Sequence, residues 1–392
     1  MGFSLYDPES KSTIYESNSA KYFTPASNTK LFTYYACIKY LEDSIQALRY
    51  KEKEDSLIFW GTGDPTFLHP DLHQNKKVFD FLKNYPGVLV FSDKNYFNER
   101  LGPGWAWDDY PYYFSAETAP FPIYGNVVRF SKVPMARLKI APGIFFDSTF
   151  NKPFNLAHQS GVMRDEYTNK FFYLPWKKSA DTTDIPIKYS ISTLLNLLQD
   201  TLERQVVYKR IPVDTTNSII YSIPADSVYK RMLQESDNFL AEQLLLLVGD
   251  RINDSLSTKN TIAFLQDSLL ADFPDKPIWV DGSGLSRYNL FTPRTMVRLL
   301  ENIYYSVPEE RLFQLLPAGG VNGTLSSWYA DNEAYIFAKT GTLSNNHCLS
   351  GYLVTKSGKR LIFSFMHNNF PFSSSVTKSA MEGILAFVRD NY

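Results

Sequence analysis

Cysteine is scarce. The 392-residue chain has two, Cys37 and Cys348, which rules out a disulfide scaffold and a four-cysteine zinc site. Histidine numbers five; His69 and His73 stand four apart, but Pro70 lies between them and no third ligand is in view, so no metal is expected. Neither sign of charge is in excess. Forty Lys and Arg against 41 Asp and Glu leave a formal charge of −1, without the cationic field that a nucleic-acid partner calls for. The longest apolar run, about Leu244–Val248, falls far short of a membrane span. Gly61 and Gly63 lack the third glycine of a dinucleotide site, so no cofactor is expected. Asp281 stands where G-x-S-x-G would need a glycine, which removes the usual serine–histidine hydrolase signature. No internal repeat and no export leader are visible in this chain.

What is present describes a globular protein of two or three domains, 44% hydrophobic and 21% charged. Aromatic residues are unusually many at 16%, material for cores and the walls of clefts. Two short strands are expected near Gly2–Tyr6 and Ser12–Tyr15, then a helix with Thr24 as N-cap and Pro25 at its first position. From the charged run at Lys51–Asp55 to about Ser222, prolines, aromatics and turn residues dominate, as in a largely β segment. Helical periodicity returns at Ser192–Leu202 and Ser227–Val248. Three strand-like runs follow at Ala334–Lys339, Cys348–Thr355 and Leu361–His367, the last two joined by a plausible hairpin turn, before a closing helix at about Ser374–Val388. The first two strands beside the last three make an antiparallel sheet of about five strands flanked by helices. Residues 1–55 and 222–392 are therefore expected to form one discontinuous domain, with 56–221 as a mainly β insertion of one or two subdomains.

Three short segments carry chemistry. In Ser27-Asn28-Thr29-Lys30, residues three apart share a helix face, so the Lys30 amine can reach Ser27 Oγ. A hydroxyl needs such a base, and a lysine serves only if burial or a second cation lowers its pKa. At a helix start the Ser27 N–H has no intrahelical acceptor and suits a developing oxyanion. Ser236-Asp237-Asn238 offers a hydroxyl for proton relay and a carboxamide for a substrate amide, unless it is only a capping turn. Lys339-Thr340-Gly341-Thr342 closes a strand-like run with a cation and hydroxyls suited to a carboxylate. Gly341 permits close approach to the backbone, and Lys339 is the second cation that would keep Lys30 neutral. Trp105 and Trp107 are expected to pack within the β region, and both cysteines to be buried thiols.

In this order the trio S-x-x-K, S-x-N, K-T-G resembles that of penicillin-binding proteins and class A β-lactamases. More of the chain is similar to the D-alanyl-D-alanine carboxypeptidase/endopeptidase group, the low-molecular-mass class C penicillin-binding proteins. Phe23–Thr33, Gly61–Thr66, Gly104–Asp109, Asp281–Arg287 and Gly319–Leu325 all resemble segments of that family, so the likeness spans nearly the whole chain. Ser236 follows Ser27 by 209 positions, room for an insertion that compact β-lactamases lack, and no E-x-x-L-N segment follows Ser236. The resemblance implies a β-lactamase/transpeptidase-like domain and a serine acyl-enzyme acting on peptidoglycan stem peptides, with β-lactams as covalent inhibitors. Ser27, Lys30, Ser236 and Lys339 would be catalytic. Asn238, Thr340, Gly341 and Thr342 would bind substrate, and the backbone N–H groups of Ser27 and Thr342 would form the oxyanion hole. The same likeness implies a periplasmic or extracytoplasmic site of action, in a chain trimmed of its leader. The alternative is a non-turnover wall-binding or β-lactam-sensing protein, or a related β-lactamase or esterase.

Overall fold

The computed structural model of the chain describes residues 1–73, 76–133, 137–151, 161–174, 182–214 and 216–392. Strands β1 (Gly2–Asp7) and β2 (Ser12–Ser17) come first, then helix α1 (Lys30–Tyr40), β3 (Ser44–Lys53), β4 (Ser56–Gly61), α2 (Lys77–Asn84) and β5 (Val88–Ser92). The middle of the chain supplies β6 (Val127–Val133), β7 (Arg137–Ala141), β8 (Thr149–Asn151), β9 (Gly161–Arg164), β10 (Phe171–Leu174), β11 (Thr182–Pro186), α3 (Ile191–Leu202), β12 (Val206–Tyr208) and β13 (Ser218–Pro224). Helices α4 (Ala225–Gln234), α5 (Asn238–Asn253), α6 (Thr258–Ser268), α7 (Pro293–Tyr304) and α8 (Glu309–Leu315) lead to β14 (Ile336–Leu343), β15 (Asn346–Val354), β16 (Arg360–Asn368) and α9 (Ser374–Asn391).

The two ends of the chain meet in one sheet. Its order is β14-β15-β16-β1-β2, antiparallel throughout, with Phe3 opposite Phe365 and Lys339 opposite Ser350. Side chains alternate between its faces. Tyr352, Ile362 and Met366 join the core built with α1, α5 and α7, whereas Leu353, Leu361, Phe363 and Phe365 pack under α9 with Met381 and Leu385. Both faces are thus covered, which explains why β16 reads as an almost unbroken apolar run. Both cysteines are buried free thiols, as expected.

Helix α5 runs through the middle of this core. Every residue from Phe239 to Asp250 is buried, the mark of a helix with no solvent face. The sequence shows helical character over 227–248, with the S-x-N cluster offering a capping turn; the structure breaks the helix there, between α4 and α5. Ser236 there takes a left-handed backbone (φ +60°) and Asp237 caps α5 by accepting from the Leu240 N–H at 3.1 Å.

The middle region is built on a second five-stranded sheet, β12-β5-β4-β3-β13. Strands β4, β5 and β12 run parallel, with α2 crossing from β4 to β5. Two three-stranded sheets, β11-β6-β7 and β8-β10-β9, complete it. Gln243 of α5 joins the two regions: Oε1 accepts from the Ala119 N–H at 3.0 Å, and Nε2 donates to the carbonyls of Gly63 and Ala119 at 2.8 and 2.9 Å. Three buried backbone groups are satisfied by one side chain.

Candidate active site

The Ser27–Lys30 segment does not begin as the sequence suggests. Thr24 caps nothing; its N–H donates to Asn368 Oδ1 at 2.6 Å. A 3-10 turn spans Ala26–Thr29, and the α-helix starts at Lys30. Ala26 holds a positive φ of +48° because its surroundings impose it. On one side, a Cβ at Gly284 would come within 1.9 Å of the Ala26 carbonyl oxygen. On the other, a Cβ at Gly341 would lie 2.3 Å from the Pro25 oxygen and 3.0 Å from Ser27 N. Glycine at both positions lets the turn be gripped between β14 and the 282–284 loop. The ligand-like close approach expected at Gly341 is made by the chain's own backbone.

Lysine 30 is the centre of the site. It is fully buried, and its Nζ lies 3.0 Å from Ser27 Oγ, 2.6 Å from Asn238 Oδ1 and 2.8 Å from the Ser283 carbonyl. The last two are oxygens that only accept. A neutral amine has two hydrogens and one lone pair, so donating to both leaves the lone pair facing the Ser27 hydroxyl. Burial pushes the Lys30 amine down to about 8, although the carboxylates of Asp281, Glu242 and Asp237 pull it back up.

Lysine 339 is also fully buried, but its partners differ. It lies within β14, which continues to Leu343 rather than ending at the lysine. Its Nζ donates to Ser236 Oγ and to the Thr340 carbonyl, both at 2.9 Å. Burial drives its pKa well below the ordinary lysine value, and the charge of Lys30 adds to this. Desolvation therefore dominates at both amines. Asn28 ties the two segments by donating from Nδ2 to the Lys339 carbonyl at 2.8 Å.

Two hydrogen-bonded sets, Ser27–Lys30–Asn238 and Ser236–Lys339, are thus tied together through Asn28. The carboxamide of Asn238, read from the sequence as a partner for a substrate amide, has both polar atoms committed: Oδ1 to Lys30, and Nδ2 to the Phe114 carbonyl at 3.0 Å. Thr340 Oγ1 donates to Thr324 Oγ1 at 2.7 Å, and Thr342 Oγ1 lies 2.8 Å from His347 Nδ1. Burial lowers His347 to about 4, so its ring is neutral near pH 7.

Sequence reasoning missed the groups behind Lys30. Glu242, one turn beyond Asn238, accepts from the N–H groups of Gly282 and Ser283 at 3.0 and 2.8 Å, which aims the Ser283 carbonyl at Lys30. Burial, and then Asp281, push the Glu242 carboxyl up to about 8. Fully buried Asp281 accepts from Gly284 N, Ser286 N, Asn289 Nδ2 and Trp105 Nε1, at 2.6–2.9 Å. The i, i+4 spacing from Asn238 could have flagged Glu242; nothing local marks a backbone carbonyl such as that of Ser283. Trp105 is tied into the site, whereas Trp107, expected to pack, is 89% exposed.

Several known proteins are similar to this chain over nearly its whole length. The D-alanyl-D-alanine carboxypeptidase DacB of Haemophilus influenzae is 23% identical over all of this chain and 90% of its own length. A D-alanyl-D-alanine carboxypeptidase from an Actinomadura species is 25% identical, covering 94% of this chain and 77% of its own. The crystal structure of penicillin binding protein 4 from H. influenzae superposes with a TM-score of 0.76 at 23% identity, over 99% of this chain and 94% of that one. A family profile, that of the D-Ala-D-Ala carboxypeptidase 3 (S13) enzymes, spans residues 1–391, and the chain belongs to that family of serine carboxypeptidases.

Proposed function

We propose that the pocket cleaves D-Ala–D-Ala-type bonds of peptidoglycan stem peptides through an acyl-enzyme on Ser27. The amine of Lys30 takes the Ser27 proton as Oγ attacks the carbonyl of the penultimate D-alanine. The backbone N–H groups of Ser27 and Thr342 hold the oxyanion. Ser236, held by Lys339, relays the proton taken by Lys30 to the departing amine, and Thr340, Thr342 and Lys339 receive the terminal carboxylate. Asn238 serves by holding Lys30, and water then releases the acyl group. In this division of labour the terminal sheet and its helices carry the chemistry, and the region built on the β12-β5-β4-β3-β13 sheet, which takes β3 (Ser44–Lys53) from the first 55 residues, forms the insert.

The observation that carries the reading is the set of acceptors around Lys30, which leaves one direction, that of Ser27 Oγ, for its lone pair. A β-lactam presents a strained amide to the same atoms, so it acylates Ser27. A cell-wall substrate places the protein outside the cytoplasm; among the described residues no helix is long and apolar enough to cross a membrane. Mass spectrometry after incubation with benzylpenicillin tests the chemistry: an adduct on Ser27 is expected, and none, or one elsewhere, overturns it. Repeated turnover of a D-Ala-D-Ala peptide separates an enzyme from a non-turnover sensor. Digestion of purified muropeptides separates terminal D-alanine release from cross-bridge cleavage.

A further inference from the structure

Five charged side chains run without a break from the middle region to the second motif. Asp184 on β11 accepts from Arg129 on β6 through Nε at 2.7 Å and Nη2 at 2.6 Å. The other edge of the same guanidinium meets Asp71, Nη1 to Oδ1 and Nη2 to Oδ2, both at 2.7 Å. Asp71 Oδ2 also accepts from Arg231 Nη2 of α4 at 2.7 Å, and Arg231 Nε reaches Asp237 Oδ2 at 3.3 Å. Asp237 caps α5 and immediately follows Ser236. Buried His69 lies in the field of Asp237, Arg231, Asp71 and Arg129.

Three features set this chain apart from ordinary surface pairs. Both contacts of Arg129 are two-pronged, a geometry that fixes orientation as well as distance. The side chains are only 13–27% exposed, so solvent screens them incompletely. Its far end is a turn of the site whose backbone is strained, Ser236 at φ +60°, and such a conformation persists only where its surroundings hold it.

We propose that Asp71, Arg129 and Arg231 are positioning residues for Ser236. Through them residues 56–221 hold the α4–α5 turn so that Ser236 Oγ stays against Lys339 Nζ. The proposal rests on the reading above in giving Ser236 a part in acylation.

The test uses the full chain and benzylpenicillin. Arg129→Met and Asp71→Asn should slow the acylation step about 3- to 10-fold, a size typical of coupled neighbours. The dissociation constant of the noncovalent complex and the final fraction of labelled protein should not change. Raising NaCl to 1 M should slow the natural protein toward the variants and leave Arg129→Met unaffected. Arg129→Lys, with one ammonium for two carboxylates, should recover part of the loss. Hydrogen exchange supplies a readout independent of activity: the amides of Asp237–Leu240 should exchange several-fold faster in Arg129→Met. Lys83→Met, which removes an unrelated pair with Glu203, should change neither quantity. The proposal is overturned if acylation and exchange are both unaltered in Arg129→Met and Asp71→Asn. It is also overturned if the labelled fraction falls in step with the rate, because the chain would then only hold the fold. Were the natural protein not acylated at all, the catalytic reading would fail, and exchange at Asp237–Leu240 would still decide this one.

Discussion

Two sets of cations occupy the molecule in opposite ways. At the pocket floor, Lys30 and Lys339 are fully buried and contact hydroxyls and carbonyls, with no carboxylate among their hydrogen-bond partners. At the junction with the middle region, Arg129 and Arg231 are about a quarter exposed, and each bridges two carboxylates. Burial that outweighs the nearby carboxylates pushes an amine toward neutrality, which suits a base. A guanidinium stays charged in either setting, and its rigid fork suits holding. In the roles proposed above, basic side chains serve chemistry in one place and alignment in the other, and the environment chooses.

The contrast can be broken at the pocket first. Ser27→Ala should abolish covalent labelling by benzylpenicillin, with circular dichroism unchanged; residual labelling would place the nucleophile elsewhere. Lys30→Met keeps the bulk and removes the base, so acylation should fall by about 10²- to 10⁴-fold in stopped-flow measurements. Gly341→Ala drives a methyl group into the Pro25 carbonyl and displaces Ser27 from β14. A shift near 1 Å in a reacting group can reduce rate about 10²-fold, and acylation should fall by that order while the noncovalent complex still forms.

Solution conditions sharpen the comparison. The folded pKa of Lys30 is depressed, so its active, neutral form predominates above about 8 and is lost as pH falls through that value. The acylation rate constant should rise about tenfold per pH unit up to that point and then level off. A pH-independent rate between 6 and 9 would exclude Lys30 as the titrating base. The smallest effect belongs to the junction: removing the charge of Asp71 should lower the melting temperature by only a few degrees, since partly exposed pairs contribute about 1 kcal/mol. Differential scanning calorimetry reads that shift.

Legibility in the sequence followed distance along the chain. Ser27 and Lys30 are three residues apart, and helical geometry alone joins them. The five strands of the terminal sheet were readable because alternation and turn residues are local signals. The start of the first helix was misread at Thr24, because Gly284 and Gly341, far along the chain, dictate the turn. The ion chain was invisible for the same reason: Arg129 and Asp71 stand 58 positions apart, and Arg231 and Asp71 stand 160 apart. The bonds of Asn238 to Lys30 and to the Phe114 carbonyl were not legible, because a side chain's chemistry leaves open which of several acceptors and donors it will meet.

By itself, the order of residues determined the three chemical segments, the strands and helices that carry them, and the family to which they point. Those properties depend on spacing within a dozen residues, where backbone geometry leaves few options. Only the tertiary structure decided that Lys30 is dry and aimed at Ser27, that Lys339 serves Ser236, and that a middle region braces the turn between α4 and α5. Dehydration and alignment are properties of what surrounds a group, and here those surroundings come from segments hundreds of positions apart.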